Sequence, residues 1–308
     1  MSIWLFAGQG AQSVGMCSRL ATIPVVAKLF ERASTIIGRD LLKICVDGPK
    51  EDLDRTENCQ PAIVAASLAA LESAASEGKG MTTPTCAAGF SLGEITALIA
   101  AESLSIDDGF RLVKVRAEAM QRASDLSPSG MLTVVGLTDD QLGDLCSMCP
   151  KEKGHLQIAN YLFPRGRVMS GHNAGIEWLV DQLSTYKPKP RQVRRISVSG
   201  AFHSPLMKLA QNEVKSLLDT VDIKLPRFHV YSNVTARPYE SEDQVRVLLA
   251  RQVCEPVQWE QSMINIINYI NQENIEQVYE IGPGKQLKAA LSRIDSNLGK
   301  TCKNVEAQ

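Results

Sequence analysis

The chain opens on an unbroken apolar run, Ile3-Trp4-Leu5-Phe6-Ala7, and stops at a glycine turn, Gly8-Gln9-Gly10. A short apolar segment bounded by turn residues is the pattern of a strand buried on both faces. A long helical stretch follows, and Pro61 is expected to open an Ala-rich helix over about 61–77. Residues 84–89 (PTCAAG) read as a strand of small residues that runs into Ser91, with helices over about 92–101 and 107–124. The texture then changes. Strand 130–136, helix 138–148, strands 155–160 and 166–171, helix 173–184 and strand 192–199 follow one another, with Pro188 and Pro190 in the last connection. That β-α-β-β-α-β order is ferredoxin-like. Helices and strands then alternate again: a helix from 205 to about 220, a strand at 228–232, helices near 241–252 and 259–272, a strand at 277–281 and a helix from 284. The polar tail after about 296 is expected to be loose. The pattern predicts an α/β core of residues 1–125 and 197–308 with a mostly parallel sheet, and a small ferredoxin-like subdomain inserted at 126–196.

Composition narrows the function classes. The chain has 308 residues, 44% hydrophobic and 22% charged, with a formal charge of −1, which argues against nucleic-acid and membrane-surface partners. No apolar run reaches the length of about 18 residues that a membrane span needs. The start lacks a basic n-region and a cleavage site, so a form without a presequence is expected. The 8 cysteines are scattered through apolar or helical stretches and read as free thiols in a reducing compartment. Cys146 and Cys149 have metal-ligand spacing but no second pair to complete a four-ligand site, so no metal is expected.

The sharpest chemical signal is Gly89-Phe90-Ser91-Leu92-Gly93, a G-x-S-x-G sequence between a strand and a helix. In that setting the serine sits on a tight turn, glycines avoid clashes on either side, and the helix N-terminus favours a developing oxyanion. A serine nucleophile needs a base, and the chain has 4 histidines. His155 and His172 fall in the inserted segment, and His229 lies inside an alternating strand. His203, in Ser199-Gly200-Ala201-Phe202-His203-Ser204-Pro205, occupies a strand-to-helix turn where catalytic residues of α/β folds gather. No aspartate announces itself as a third member, which leaves a backbone carbonyl to orient the base. Arg116 lies on an apolar stripe with Val113, Met120 and Ala123. Such an arginine serves either a structural salt bridge or a fork for a substrate carboxylate. The first glycine loop is not a dinucleotide fingerprint, because Ser13 stands where that pattern needs glycine, and no phosphate-binding GxxxxGK[ST] occurs.

Together, Gly8-Gln9-Gly10-Ala11-Gln12, Gly89 to Glu94, Arg116, Gly200-Ala201-Phe202-His203-Ser204 and Glu280-Ile281-Gly282-Pro283-Gly284 resemble the malonyl-CoA:acyl carrier protein transacylases, in that family's order and spacing from about residue 3 to 295. Ala159 to Pro164, Arg167 to His172 and Pro256 to Gln261 look like the mitochondrial members of animals. The resemblance implies an α/β-hydrolase-like core with a ferredoxin-like insertion. It implies Ser91 as nucleophile, His203 as base, the backbone carbonyl of Gln252 behind the imidazole, and backbone N–H groups of Gln9 and Leu92 as the oxyanion hole. Arg116 would hold the malonyl carboxylate, with Asn160, Phe90 and Phe202 lining the pocket and Phe202 crowding an α-methyl branch. Phe90 departs from the histidine that many members carry before the serine. The implied partners are a coenzyme A thioester and a phosphopantetheinylated acyl carrier protein, without a cofactor. The positive run Lys187, Lys189, Arg191, Arg194 and Arg195 is a candidate docking surface or a merely solvated one. The implied setting is type II fatty acid synthesis in the mitochondrial matrix, with the bacterial cytoplasm as the alternative. Rival readings are a hydrolase on the same elbow, a non-catalytic relative, and an acyltransferase unit of a polyketide synthase.

Overall fold

The computed structural model describes residues 1–76 and 81–307. In chain order the strands are β1 (Ser2–Phe6), β2 (Pro84–Gly89), β3 (Ser129–Val135), β4 (Leu156–Phe163), β5 (Gly166–His172), β6 (Gln192–Ile196), β7 (His229–Tyr231), β8 (Gln277–Gly282) and β9 (Lys303–Glu306). One sheet runs β7-β2-β1-β8-β9 with every neighbour parallel. Its central strands β2, β1 and β8 are buried on both faces, as the inner strands of parallel sheets are. Ile3 and Leu5 of β1 join the helix Trp259–Glu273 on one side, while Phe6 joins the helices Thr56–Ser76 and Ile106–Asp125 on the other. The strand period of two thus divides one short apolar run between two cores.

The second sheet runs β4-β5-β3-β6, antiparallel throughout. With the helices Asp139–Met148 and Asn173–Thr185 it gives the ferredoxin-like order expected from the sequence. Those helices cover one face, where Leu132, Val134 and Met169 pack against Leu142, Leu145, Ile176 and Leu179. The other face looks into a cleft shared with the parallel sheet. Two backbone bonds tie the small sheet to the segment before the helix Trp259–Glu273, Tyr161 N to Val257 O at 2.9 Å and Val257 N to Ala159 O at 2.8 Å. Arg167 adds a side-chain tie, meeting Asp139 at 2.6 Å and Glu260 at 2.7 Å. The small sheet is therefore a fixed wall of the cleft.

Three local expectations are corrected. The Ala-rich helix starts at Thr56, with Pro61 inside it. Proline so near a helix start forfeits only the bond to the carbonyl of Glu57, and that oxygen accepts instead from Arg39 Nη1 at 3.3 Å. The expected end of that helix at 77 lies outside the described residues. The strand expected over 192–199 ends at Ile196. The tail is not loose over the described residues: Ser296–Thr301 is a helix, and β9 pairs with β8 at the edge of the parallel sheet.

Candidate active site

β2 delivers the chain to the C-terminal edge of the parallel sheet, where ligand sites of such sheets form. Small residues are needed because the helix Leu92–Ala100 begins at once. A Cβ on Gly89 would lie 1.8 Å from the carbonyl carbon of Gly93, and one on Gly93 would lie 2.1 Å from Phe6 O. Between them Ser91 is held at φ 51° and ψ −101°, a conformation that costs free energy and persists because its surroundings fix it. The fixing group is Asn233, whose Oδ1 accepts from Ser91 N at 2.6 Å while its Nδ2 donates to Gly89 O at 2.8 Å.

The hydroxyl of Ser91 lies 2.8 Å from Nε2 of His203. On the far side of the ring, Nδ1 lies 2.8 Å from the backbone oxygen of Gln252. A carbonyl only accepts, so Nδ1 carries the proton and Nε2 is left as an acceptor for the serine hydroxyl. Burial, reinforced by the charge of Arg116, pushes the imidazole down to about 4. The ring is therefore the neutral, proton-accepting form at neutral pH. The small sheet helps to hold it: Gln157 Nε2 donates to His203 O at 2.8 Å, and Ser170 Oγ to Phe202 O at 2.8 Å.

Arg116 projects from the helix Ile106–Asp125 and is 2% exposed. Its Nη1 donates to Gln60 Oε1 at 2.7 Å, and its Nη2 to Gln252 Oε1 and to Ser91 Oγ, each at 3.0 Å. Its Nε is buried with no partner. Burial lowers the guanidinium to about 10, opposed by the field of Glu94, so it stays charged at neutral pH. Among the described residues no carboxylate forms an ion pair with it; neutral amide oxygens aim the fork. Of the two sequence readings, the salt bridge is thus the one that lacks a partner.

These groups border a cavity of about 430 Å³ that also takes in Gln9, Phe90, Asn160 and Phe202. Phe90 meets Trp259 edge-on, with ring centroids 5.6 Å apart. Asn160, on β4, is 4% exposed and its Nδ2 has no partner. Among the described residues the backbone N–H groups of Gln9 and Leu92 donate to nothing, which leaves both available to an oxyanion. A larger groove of about 660 Å³ lies beside Trp4 and Leu225 but holds no paired nucleophile and base. The 8 cysteines are free thiols.

Three residues around the site escaped the sequence reading in these roles: Gln60, Asn233 and Glu94. The signal for Gln60 and Glu94 was present, since each is a polar residue inside an apolar helix. Asn233 lies in a loop and carries no such mark. The basic run is not one surface. Along β6 the side chains alternate, so Arg194 borders the cavity with Gln192 and Ile196, whereas Arg195 lies on the other face, 3.6 Å from Glu177.

Comparison with known proteins agrees with this geometry. The acyl transferase domain family matches residues 3–297. The mitochondrial malonyl-CoA-acyl carrier protein transacylase of Homo sapiens is 40% identical over 313 residues, covering 99% of this chain and 80% of that protein. The crystal structure of malonyl-CoA:acyl carrier protein transacylase from Xanthomonas oryzae superposes with a TM-score of 0.90 at 31% identity, covering 99% of this chain and 94% of that one. A malonyl-transacylase solved in complex with its type II polyketide acyl carrier protein gives a TM-score of 0.88 at 30% identity, covering 99% and 95%. The chain belongs to the acyl transferase domain family, among the malonyl-CoA-acyl carrier protein transacylases.

Proposed function

We propose that the chain moves a malonyl group from coenzyme A to the phosphopantetheine thiol of an acyl carrier protein, through an ester on Ser91. Ser91 Oγ attacks the thioester carbonyl carbon as its proton passes to His203 Nε2, which lies 2.8 Å away. The oxygen that gains charge is met by the backbone N–H groups of Gln9 and Leu92. Collapse breaks the carbon–sulfur bond, and the coenzyme A thiolate leaves with the proton from His203. In the second half His203 takes the proton of the carrier thiol, that sulfur attacks the ester, and Ser91 regains its proton. No step calls for a group beyond the chain and its two thiol partners.

The observation that carries this reading is Arg116, a buried cation with neutral anchors that touches the nucleophile itself. When Ser91 Oγ becomes an ester oxygen it is a weaker acceptor, which frees Nη2 for the malonyl carboxylate. The arginine then selects a diacid and fixes its carbonyl, with Asn160, Phe90 and Phe202 shaping the rest of the pocket. We take residues 126–196 as the inserted subdomain, with the carrier protein docking on the cavity side of its basic run. Arg194, on the cavity side, is the member best placed to meet the phosphate of the arm. The mitochondrial relative supports a place in the mitochondrial matrix and a role in type II fatty acid synthesis.

Arg116→Ala tests the reading. Losing a buried charge-assisted contact should lower malonyl transfer by a factor on the order of 10² to 10³, while acetyl transfer is kept or raised. Equal losses with both acyl groups in a transfer assay would contradict it.

A further inference from the structure

Glu94 takes no part in the steps above, yet it lies at the centre of their hydrogen bonds. It sits in the first turn of the helix Leu92–Ala100 and is fully buried. A carboxylate there is costly unless its lone pairs are filled. Oε2 accepts from Gln252 Nε2 at 2.7 Å and from Asn233 N at 3.2 Å, and Oε1 accepts the hydroxyl of Tyr239.

An amide side chain has two ends of similar shape and opposite polarity, so its surroundings decide which way it faces. For Gln252 three neighbours set the direction together, the Glu94 carboxylate and the Ser91 carbonyl as acceptors and Arg116 as a donor, and Glu94 is the one whose charge changes with pH. An ionised carboxylate only accepts, so Nε2 must turn to it and to Ser91 O at 2.8 Å, which leaves Oε1 for Arg116 Nη2 at 3.0 Å. Turned over, the amide would set its NH₂ against the guanidinium and its oxygen against the carboxylate. Asn233 is held in the same way by its backbone, and its side chain clamps the Ser91 turn from both sides. One acid therefore acts on both the anchor and the nucleophile.

We propose that Glu94 is a positioning residue for acyl transfer, aiming the Arg116 fork through the Gln252 amide and steadying the Ser91 turn through Asn233. The inference rests on the malonyl-transfer reading. The ionisable groups that face Glu94 are Tyr239, from the loop before the helix Glu242–Arg251, and Arg116, from the helix Ile106–Asp125. His203 belongs to the same buried cluster through Ser91 and Gln252. Burial raises the Glu94 carboxyl to about 7, against the lowering pull of Tyr239, Gln252, Asn233 and the Arg116 charge. A protonated Glu94 carries a donor of its own and holds the amide in that direction less firmly. Malonyl acylation should therefore fall as pH drops through about 7, well above the value near 4 to which His203 is lowered.

The test is the rate of Ser91 acylation by malonyl-CoA and by acetyl-CoA across pH, for the full chain and for the variants Glu94→Gln and Tyr239→Phe, each checked for folding by thermal melting. Glu94→Gln should lower malonyl acylation by about 10-fold or more above pH 8, shrink the preference for malonyl over acetyl, and abolish the fall near pH 7. Tyr239→Phe removes a bond that lowers the carboxyl, so it should move the fall to higher pH while keeping the rate on the alkaline side. A folded Glu94→Gln that keeps both the fall and the acyl preference overturns the inference, as does a Tyr239→Phe profile that does not move. A wild-type chain that malonyl-CoA acylates at no pH overturns the transfer reading itself, and this inference with it.

Discussion

The two walls of the cleft are built on opposite plans. The parallel sheet supplies β2, packed so closely that neither Gly89 nor Gly93 has room for a methyl group. The antiparallel sheet supplies β6, an edge strand exposed from Gln192 to Arg195. In the first wall Ser91 is gripped by Asn233, His203 and Arg116, and the strained backbone of the serine is the product of that confinement. In the second, arginine side chains stand in solvent, and charge on an edge strand also discourages pairing with another chain. The difference teaches where each task belongs. Bond making needs groups fixed to within fractions of an ångström, and only a close-packed wall provides that. The docking proposed for the carrier protein would instead work through long cations at the rim, where each is worth little alone.

Breaking the packed wall should therefore have the larger effect. His203→Gln leaves the Ser91 hydroxyl without its base, and acylation by malonyl-CoA should fall by a factor on the order of 10³ or more in single-turnover kinetics. A loss below about tenfold would mean that another group takes the proton. The exposed wall should respond mildly and selectively. Arg194→Glu, on the cavity side of β6, should raise the apparent KM for carrier protein by about tenfold with kcat unchanged. Arg195→Glu, which lies on the far face beside Glu177, should change it by less than about twofold. Equal responses from the two arginines would deny the alternation of β6 any part in docking.

The same contrast governs what the sequence reveals. The tight turn at Ser91 was legible because glycine, serine and glycine at fixed spacing between a strand and a helix leave few other conformations. The ferredoxin-like order of the small sheet was legible in its periodicity, and the structure reproduces it strand by strand. The polar frame around the site was not. Gln60 and Arg116 are 56 positions apart, Ser91 and Asn233 142 apart, and Glu94 and Gln252 158 apart. Such pairs are joined only by tertiary packing, and no local pattern encodes them. The start of the Ala-rich helix before Pro61 was missed for a similar reason, because the carbonyl left free by proline is served by Arg39, 18 residues earlier than Glu57. The tail was misread because β9 carries little apolar signal and pairs only at the sheet edge.

The most direct test of the central claim is the intact mass of the protein after brief incubation with malonyl-CoA, with the Ser91→Ala chain beside it. The account predicts a malonyl adduct on the wild-type chain alone, stable while carrier protein is absent and lost when the phosphopantetheinylated carrier is added. An adduct that forms equally on the Ser91→Ala chain, or one that water removes as fast as it forms, would contradict it.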